Sequence, residues 1–370
     1  MRISHRILVA ASVLAVVTLR AVPASTWAAD LLPKAITDAQ FWTLATEASE
    51  PSGTFHSENL VSNEIKFQGI LPRFAAMTVP GRAYVGVGSE QNFTYITAVK
   101  PSIAIIVDIR RGNLDLHLTY KALFEMSADR AEFVSRLFSR PRPAGLTASS
   151  TAAEIFVAFA ASPRNEVLYA KNLDAITTHL ATTHKFGISA GDREGISYVY
   201  RSWFDGGPDL RYALTTGQGN GRVAGGGRGG RSGFGGAGGG MPTYAELMTT
   251  NDGAGKNWSY LATEENFRLM KDLETRNMVV PVVGNFGGPK ALKAVGSYLR
   301  QHSQIVSAFY TSNVEQYLRQ DGIWDEFCRN AATLPADAKS VMVRSERGGT
   351  GTFELAVVPL ATQFTTCVSR

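Results

Sequence analysis

The sequence predicts an α/β fold with a mostly parallel sheet, a C-terminal antiparallel hairpin and a helical insertion. Three observations predict it. AYVGVG at 83–88 and IAIIVDIR at 103–110 are apolar without alternation, the pattern of strands covered on both faces. The order strand, helix, strand recurs in MVVPVVGNFGG, PKALKAVGSYLRQHS and IVSAFYTSN. KSVMVRS and TFELAVVPL are joined by ERGGTG, a connection that suits an antiparallel hairpin. A chain of 370 residues, 44% hydrophobic and 19% charged, is long and apolar enough to bury such a core.

The elements follow in chain order. Residues 1–28 carry Arg2 and Arg6, an apolar run from Ile7 to Leu19, and small-residue sites at Val22-Pro23-Ala24 or Thr26-Trp27-Ala28. That is the order of a cleaved secretory signal. The run is shorter than the roughly 20 apolar residues a bilayer span needs, and Arg20 follows it. The expectation is an exported protein, periplasmic or extracellular, with no transmembrane segment after cleavage. AQFWTLATEA at 39–48 suits a short amphipathic helix. PSGTFHSENLVSNE at 51–64 is polar and turn-rich, with His56, Glu58, Asn59 and Glu64; it reads as a surface loop or as a loop folded over a site.

Between the first two strands, SEQNFTYITAV reads as a short helix or turn. After them, GNLDLHLTYKALFEM and SADRAEFVSRLFSR carry helical stripes, the second opened at Ser127 or Asp129 and stopped by Pro141 and Pro143. TAAEIFVAFAA and NEVLYAKNLDAITTHLATTHKFG add two more helices. Within 144–216 no clean buried run supplies a further strand, and ISYVYRSWF at 196–204 is the best candidate, or else a loop lending aromatics to a crevice. Fourteen of the 24 residues in 217–240 are glycine and none is acidic, which predicts a flexible tract. It separates residues 30–216 from 241–370 as two halves of one domain. EENFRLMKDLETRN is a charged amphipathic helix, Pro289 starts another, and VEQYLRQDGIWDEFCRNAATL is a third.

Net charge carries little information. Lys and Arg number 37 against 32 for Asp and Glu. Removing Arg2, Arg6 and Arg20 leaves 34 against 32, and setting aside Arg222, Arg228 and Arg231 of the glycine tract leaves 31 against 32. No nucleic-acid partner is expected. Cys328 and Cys367 are the only cysteines; an oxidising compartment would let them pair, and two buried thiols are the alternative.

In open parallel sheets ligands lie beyond the carboxyl ends of the strands. Those ends here collect Gly86, Gly88, Glu90 and Asn92 from the first strand and Asp108 from the second. Asn285 and then Tyr310 and Asn313 come from the later two. Asp108 follows Gly88 by twenty residues, an interval at which a carboxylate can take a ribose diol; it could instead cap the next helix or pair with Arg110 or Arg111. GVGSEQN is neither GxGxxG nor a Walker sequence, which disfavours NAD and ATP. H-E-x-x-H is absent. His179 and His184 stand five apart, a poor spacing for a metal pair on an α-helix, and His117 with Asp115 and Glu125 would need ligands from elsewhere; no metal is expected.

Two resemblances carry further expectations. GVGSEQNFTYI, IVDIRRGNL, YKALFEMSADRAEF and LFSRPRP, at 86–96, 106–114, 120–133 and 137–143, resemble a bacterial family that shares these stretches and brings no assigned chemistry. The glycine loop, the acidic strand end, the later polar strand end and the terminal hairpin resemble class I S-adenosylmethionine-dependent methyltransferases, which are Rossmann-like. That resemblance implies a small polar ligand, S-adenosylmethionine, with Gly86 and Gly88 beside its methionine portion, Glu90 at its amino group and Asp108 at the ribose. Asn92 belongs to the same loop, and Asn285 or Asn313 would position the adenine or an acceptor. Candidate bases are His56, His117 and Tyr310. The alternative is an exported non-enzymatic envelope protein that binds a small polar ligand in the same crevice.

Overall fold

A computed structural model describes residues 31–212, 241–347 and 353–364. Residues 1–28, expected from the sequence to be a signal, the glycine tract and Cys367 lie outside the described residues. Ahead of the sheet, α1 (Asp38–Glu47) is opened by Thr37, whose hydroxyl accepts from the Gln40 N–H while Gln40 reaches back to the Thr37 N–H. The α2 helix (Leu71–Met77) has Pro72 in its first turn, where the missing N–H costs nothing.

The two non-alternating runs form β1 (Ala83–Gly86) and β2 (Ile103–Asp108), and every residue of both is buried. They pair in parallel from Ala83 opposite Ile103 to Gly86 opposite Ile106, with α3 (Gln91–Val99) between them in sequence. The chain then leaves the sheet for a long helical insertion that starts with α4 (Arg111–Met126), buried from Asn113 to Phe124. Around it are α5 (Arg130–Phe138), α6 (Ala152–Ala161), α7 (Glu166–Thr178) and α8 (Ala190–Gly206). Asp129 caps α5 by accepting from the Glu132 N–H. Two more helices, α9 (Tyr244–Thr249) and α10 (Glu264–Thr275), precede the return to the sheet.

Residues 196–204 are helical and not a strand. The buried positions of α8 include Ile196, Val199, Tyr200, Trp203 and Phe204, spaced i, i+3, i+4, i+7 and i+8. That is one helix face, and the β-branched and aromatic residues on it account for the strand-like composition. The strand beside β2 is instead β3 (Val279–Val283), which pairs in parallel from Ala104 opposite Val279 to Asp108 opposite Val283. Pro281 is tolerated there because β3 is the edge of the sheet.

After α11 (Ala291–Gln301), β4 (Val306–Ser312) pairs in parallel with the other side of β1. The α12 (Val314–Gln320) and α13 (Trp324–Ala331) helices follow, and β5 (Val341–Arg347) and β6 (Phe353–Pro359) form the antiparallel hairpin. The six strands run in the order β3-β2-β1-β4-β5-β6. The molecule is therefore an α/β, Rossmann-like, mostly parallel sheet with helical insertions, and strands from both sides of the glycine tract interleave within it. Against the sheet, the Phe93 ring meets Tyr120, Phe124 and Tyr260 edge-on at centroid distances of 5.0, 5.5 and 5.3 Å. Cys328 is buried on α13 and disulfide-bonded. Among the described residues no helix is long and apolar enough to cross a membrane.

Candidate functional site

The chain order places its topological switch between β1 and β4: from β1 the sheet grows one way through β2 and β3, and the other way through β4 and β5. Connections diverge there and leave a crevice at the strand ends. A cavity of about 570 Å³ occupies that position. It is lined by Val87, Gly88 and Ser89 after β1, Asp108 and Arg110 at the end of β2, Gly284, Asn285 and Phe286 after β3, and Tyr310, Ser312 and Asn313 from β4. Tyr317 of α12 and Tyr212 complete an aromatic wall with Phe55.

The polar stretch 51–64 folds over this cavity and contributes Thr54, Phe55, His56, Asn59, Ser62 and Asn63 to its lining. Several bonds hold it down. Gly53 N–H donates to the Ile109 carbonyl at 2.8 Å, and Arg110 Nη1 donates to the carbonyls of Ser57 and Glu58. Ser62 N–H donates to Glu90 Oε1 at 3.1 Å. Glu64 accepts from Gln91 Nε2, from the Tyr310 hydroxyl at 2.8 Å and from the Ser312 hydroxyl at 2.8 Å. Burial pushes the Glu64 carboxyl up, while these three donors pull it down.

The anticipated residues separate into those that face the cavity and those that shape it. Gly88 and Asp108 share the cavity, and Gly88 has φ +82°, a left-handed conformation that glycine adopts without a Cβ clash. Asp108 is also the ion-pair partner of Arg110: Oδ1 accepts from the Arg110 N–H at 3.0 Å and from Nε at 3.2 Å, and Oδ2 from Nη2 at 3.3 Å. The pairing with Arg110 is thus realised, and its geometry still leaves the carboxylate on the cavity wall. Asn285 lines the cavity while its Oδ1 accepts from Gly287 N–H at 2.9 Å, which turns the loop after β3. Asn313 lines it from the start of α12.

Gly86, Glu90 and Asn92 shape the loop from behind and do not line the cavity. A Cβ on Gly86 would lie 2.0 Å from Asn92 Oδ1 and 2.8 Å from the Tyr84 ring. The glycine is needed for this internal packing, not for approach to a ligand. Asn92 Nδ2 donates to the carbonyls of Val87 and Ser89 at 2.8 and 2.7 Å, and Tyr84 OH donates to its Oδ1 at 2.8 Å. Glu90 is fully buried against the cover, and burial raises its carboxyl to about 7.

The three candidate bases differ in the same way. His56 lines the cavity near Tyr317, 3.4 Å from its hydroxyl, with its pKa lowered by burial. Tyr310 lines it too, but its hydroxyl donates to Glu64, and burial followed by that negative neighbour raises its pKa well above the usual phenol value. It is a neutral donor there and not a base. His117 does not reach the cavity. Its Nε2 lies 2.9 Å from the Gly88 carbonyl, and burial lowers its pKa to about 4, so it holds the glycine turn as a neutral imidazole.

Three features escaped the sequence reading. Glu50 accepts from the N–H groups of Lys290 and Ala291 at 2.7 Å each and pins the start of α11; nothing local marks a lone carboxylate 240 residues away as a cap. Tyr317 was legible, since Val314, Tyr317, Leu318 and Asp321 follow a strand end at helical spacing and all line the cavity. GISAG at 187–191 matches G-x-S-x-G, the nucleophile-elbow pattern of hydrolases. No strand precedes it, and Ser189 is the N-cap of α8, accepting from Asp192 N–H at 3.1 Å, so the match is a capping box.

No curated protein matches the chain. A family model described as a domain of unknown function (DUF7790) matches residues 60–178 and 237–366. The matched stretches hold all six strands and most of the cavity wall, but neither His56 nor α8. Covering well over half of the chain, they establish that it belongs to that family.

Proposed function

We propose that the crevice binds a nucleoside-containing ligand of the S-adenosylmethionine type, and that the protein is a methyltransferase-like enzyme for a small acceptor. One observation carries this reading: Gly88 in a left-handed turn and Asp108 at the neighbouring strand end face one cavity at the switch point of the sheet. A carboxylate at the end of β2 accepts from a ribose diol, and the exposed backbone of the β1 loop receives the polar end of the ligand. Asn285 and Asn313 offer amides on the far wall. Phe55, Tyr212 and Tyr317 offer flat apolar faces for a base or an acceptor ring. Methyl transfer then needs in-line placement of the acceptor, and His56 is the imidazole at the cavity that would take a proton.

A second reading is favoured by the state of Asp108 and Tyr310. Both are already engaged, with Arg110 and with Glu64, and an exported chain would not meet a cytoplasmic methyl donor. In that reading the crevice holds a small polar ligand and performs no chemistry. The two are separated by native mass spectrometry of the protein from whole cells and from the medium or periplasm, followed by incubation with methyl-labelled S-adenosylmethionine and a small-acceptor panel. Methyl transfer that is lost in His56→Ala supports the enzyme; a retained ligand without transfer supports the binding protein.

A further inference from the structure

The segment after α7 carries a structural feature that the i, i+5 spacing of His179 and His184 concealed. Residues His179–Thr183 form a π-helical turn, closed by the His184 N–H donating to the His179 carbonyl at 3.0 Å. A π turn places residues five apart one above the other, where an α-helix would splay them. The two imidazoles stand 4.8 Å apart and nearly perpendicular. Both Nε2 atoms converge on one oxygen, Glu125 Oε2, at 2.6 Å each.

From this geometry we propose that His179 Nε2, His184 Nε2 and Glu125 Oε2 form a binding site for a divalent metal of the zinc class. Two imidazole nitrogens and one carboxylate oxygen are a ligand set that zinc and its neighbours accept, whereas calcium and magnesium call for oxygen alone. The three atoms lie within 4.8 Å of one another. Ligands about 2.0–2.1 Å from a tetrahedral ion stand roughly 3.3 Å apart, so each Nε2 needs to withdraw by less than about 1 Å from Glu125 Oε2, now 2.6 Å away.

The surroundings fit the same ligand set. His184 Nδ1 lies 2.9 Å from Asp38 Oδ1, and Asn277 Nδ2 donates to the same oxygen at 2.9 Å. A carboxylate behind the distal nitrogen fixes the tautomer that leaves Nε2 free to ligate. Both Nε2 atoms face the same carboxylate oxygen, the arrangement that one shared ion would organise. Lys121 Nζ donates to Glu125 Oε1 at 2.7 Å, so Glu125 ligates through Oε2 alone. Phe186 stacks on the His184 ring at 4.9 Å and restricts its rotation.

The site is separate from the crevice. Glu125 lies fourteen residues along α4 from Arg111, about 21 Å of helix rise. The ion would join α4 to the π turn and, through Asp38, to α1, a structural cross-link independent of what the crevice binds.

The test uses the untagged full chain, stripped with a chelator and titrated with Zn(II) and with Co(II). One equivalent binds, thermal stability rises, and Co(II) gives the visible absorption of a low-coordinate nitrogen and oxygen site. In the imidazole ¹⁵N spectrum of the unmodified protein, one equivalent of Zn(II) shifts Nε2 of His179 and His184. Asp38→Asn weakens binding about 10–100-fold, and His184→Gln abolishes the one-equivalent step. Absence of that step in the wild type, its persistence in His184→Gln, or shifts confined to His56 and His302 would overturn the site.

Discussion

Gly88 carries a backbone constraint in the crevice. Its φ of +82° makes any side chain there strained, and a Cβ would also meet Asn59 Nδ2 at 3.0 Å. Gly88→Ala is expected to cost about 1 kcal/mol or more of stability and to abolish ligand binding, read by urea unfolding and calorimetry. Beneath it, His117 gives a pH signature. Its pKa falls from 6.5 to about 4 on folding, so the unfolded chain gains a proton first as the pH drops. Stability from this group is complete above pH 6.5 and is lost between 6.5 and 4, about 3 kcal/mol in all. Glu90 acts in the opposite sense: its pKa is raised from 4.5 to about 7, so its contribution favours folding at low pH and declines across that interval as the pH rises. The difference between wild type and His117→Gln isolates the histidine. Urea unfolding at pH 7 and pH 4.5 should show a smaller acid loss in the variant; equal losses would remove His117 from the account.

At the scale of elements, what the sequence disclosed depended on how local the determining contacts are. The strands β1, β2 and β3 were legible because burial on both faces leaves an unbroken apolar run, as did the hairpin, whose two strands are adjacent in sequence. The α8 helix was not, because ISYVYRSWF is rich in residues that suit strands and only its partners select the helical face. Trp203→Ala should therefore cost about 3–5 kcal/mol, while Glu194→Ala, on the exposed face, should stay within about 0.5 kcal/mol in urea unfolding. Arg130 illustrates a contact that no local pattern reveals. It is buried at the start of α5, donating to Glu264 at 3.1 Å and to the carbonyls of Leu261, Ala262, Ala148 and Ser150. Arg130→Ala leaves Glu264 and four carbonyls without their donor and should cost about 3–5 kcal/mol by the same measurement.

At the scale of the molecule, the sheet is shared between the two parts of the chain. β1 lies between β2, from its own half, and β4, from residues beyond the glycine tract; β2 is flanked by β3 from the same distant half. Residues 31–212 alone would retain only the β1–β2 pair of the six strands. That fragment and residues 241–370 should each lack native near-ultraviolet circular dichroism when expressed separately and recover it when expressed together. A native spectrum from either alone would contradict the interleaved fold. The crevice has the same origin. Asp108 and Gly88 could be paired from the sequence, because strand ends in one half announce themselves. Arg110 as clamp, Glu64 as the anchor of the cover and Glu50 as the cap of α11 depend on contacts across 52, 246 and 241 residues and become visible only in the assembled sheet.

The proposed function places a nucleoside ligand at Asp108 of this shared crevice. Calorimetric titration of S-adenosylmethionine into the full chain and into Asp108→Asn tests it most directly. Saturable one-to-one binding, weakened about 10–100-fold in the variant through loss of a charged acceptor, is the result expected. No heat of binding at high ligand concentration, or equal affinity in the two proteins, would contradict it.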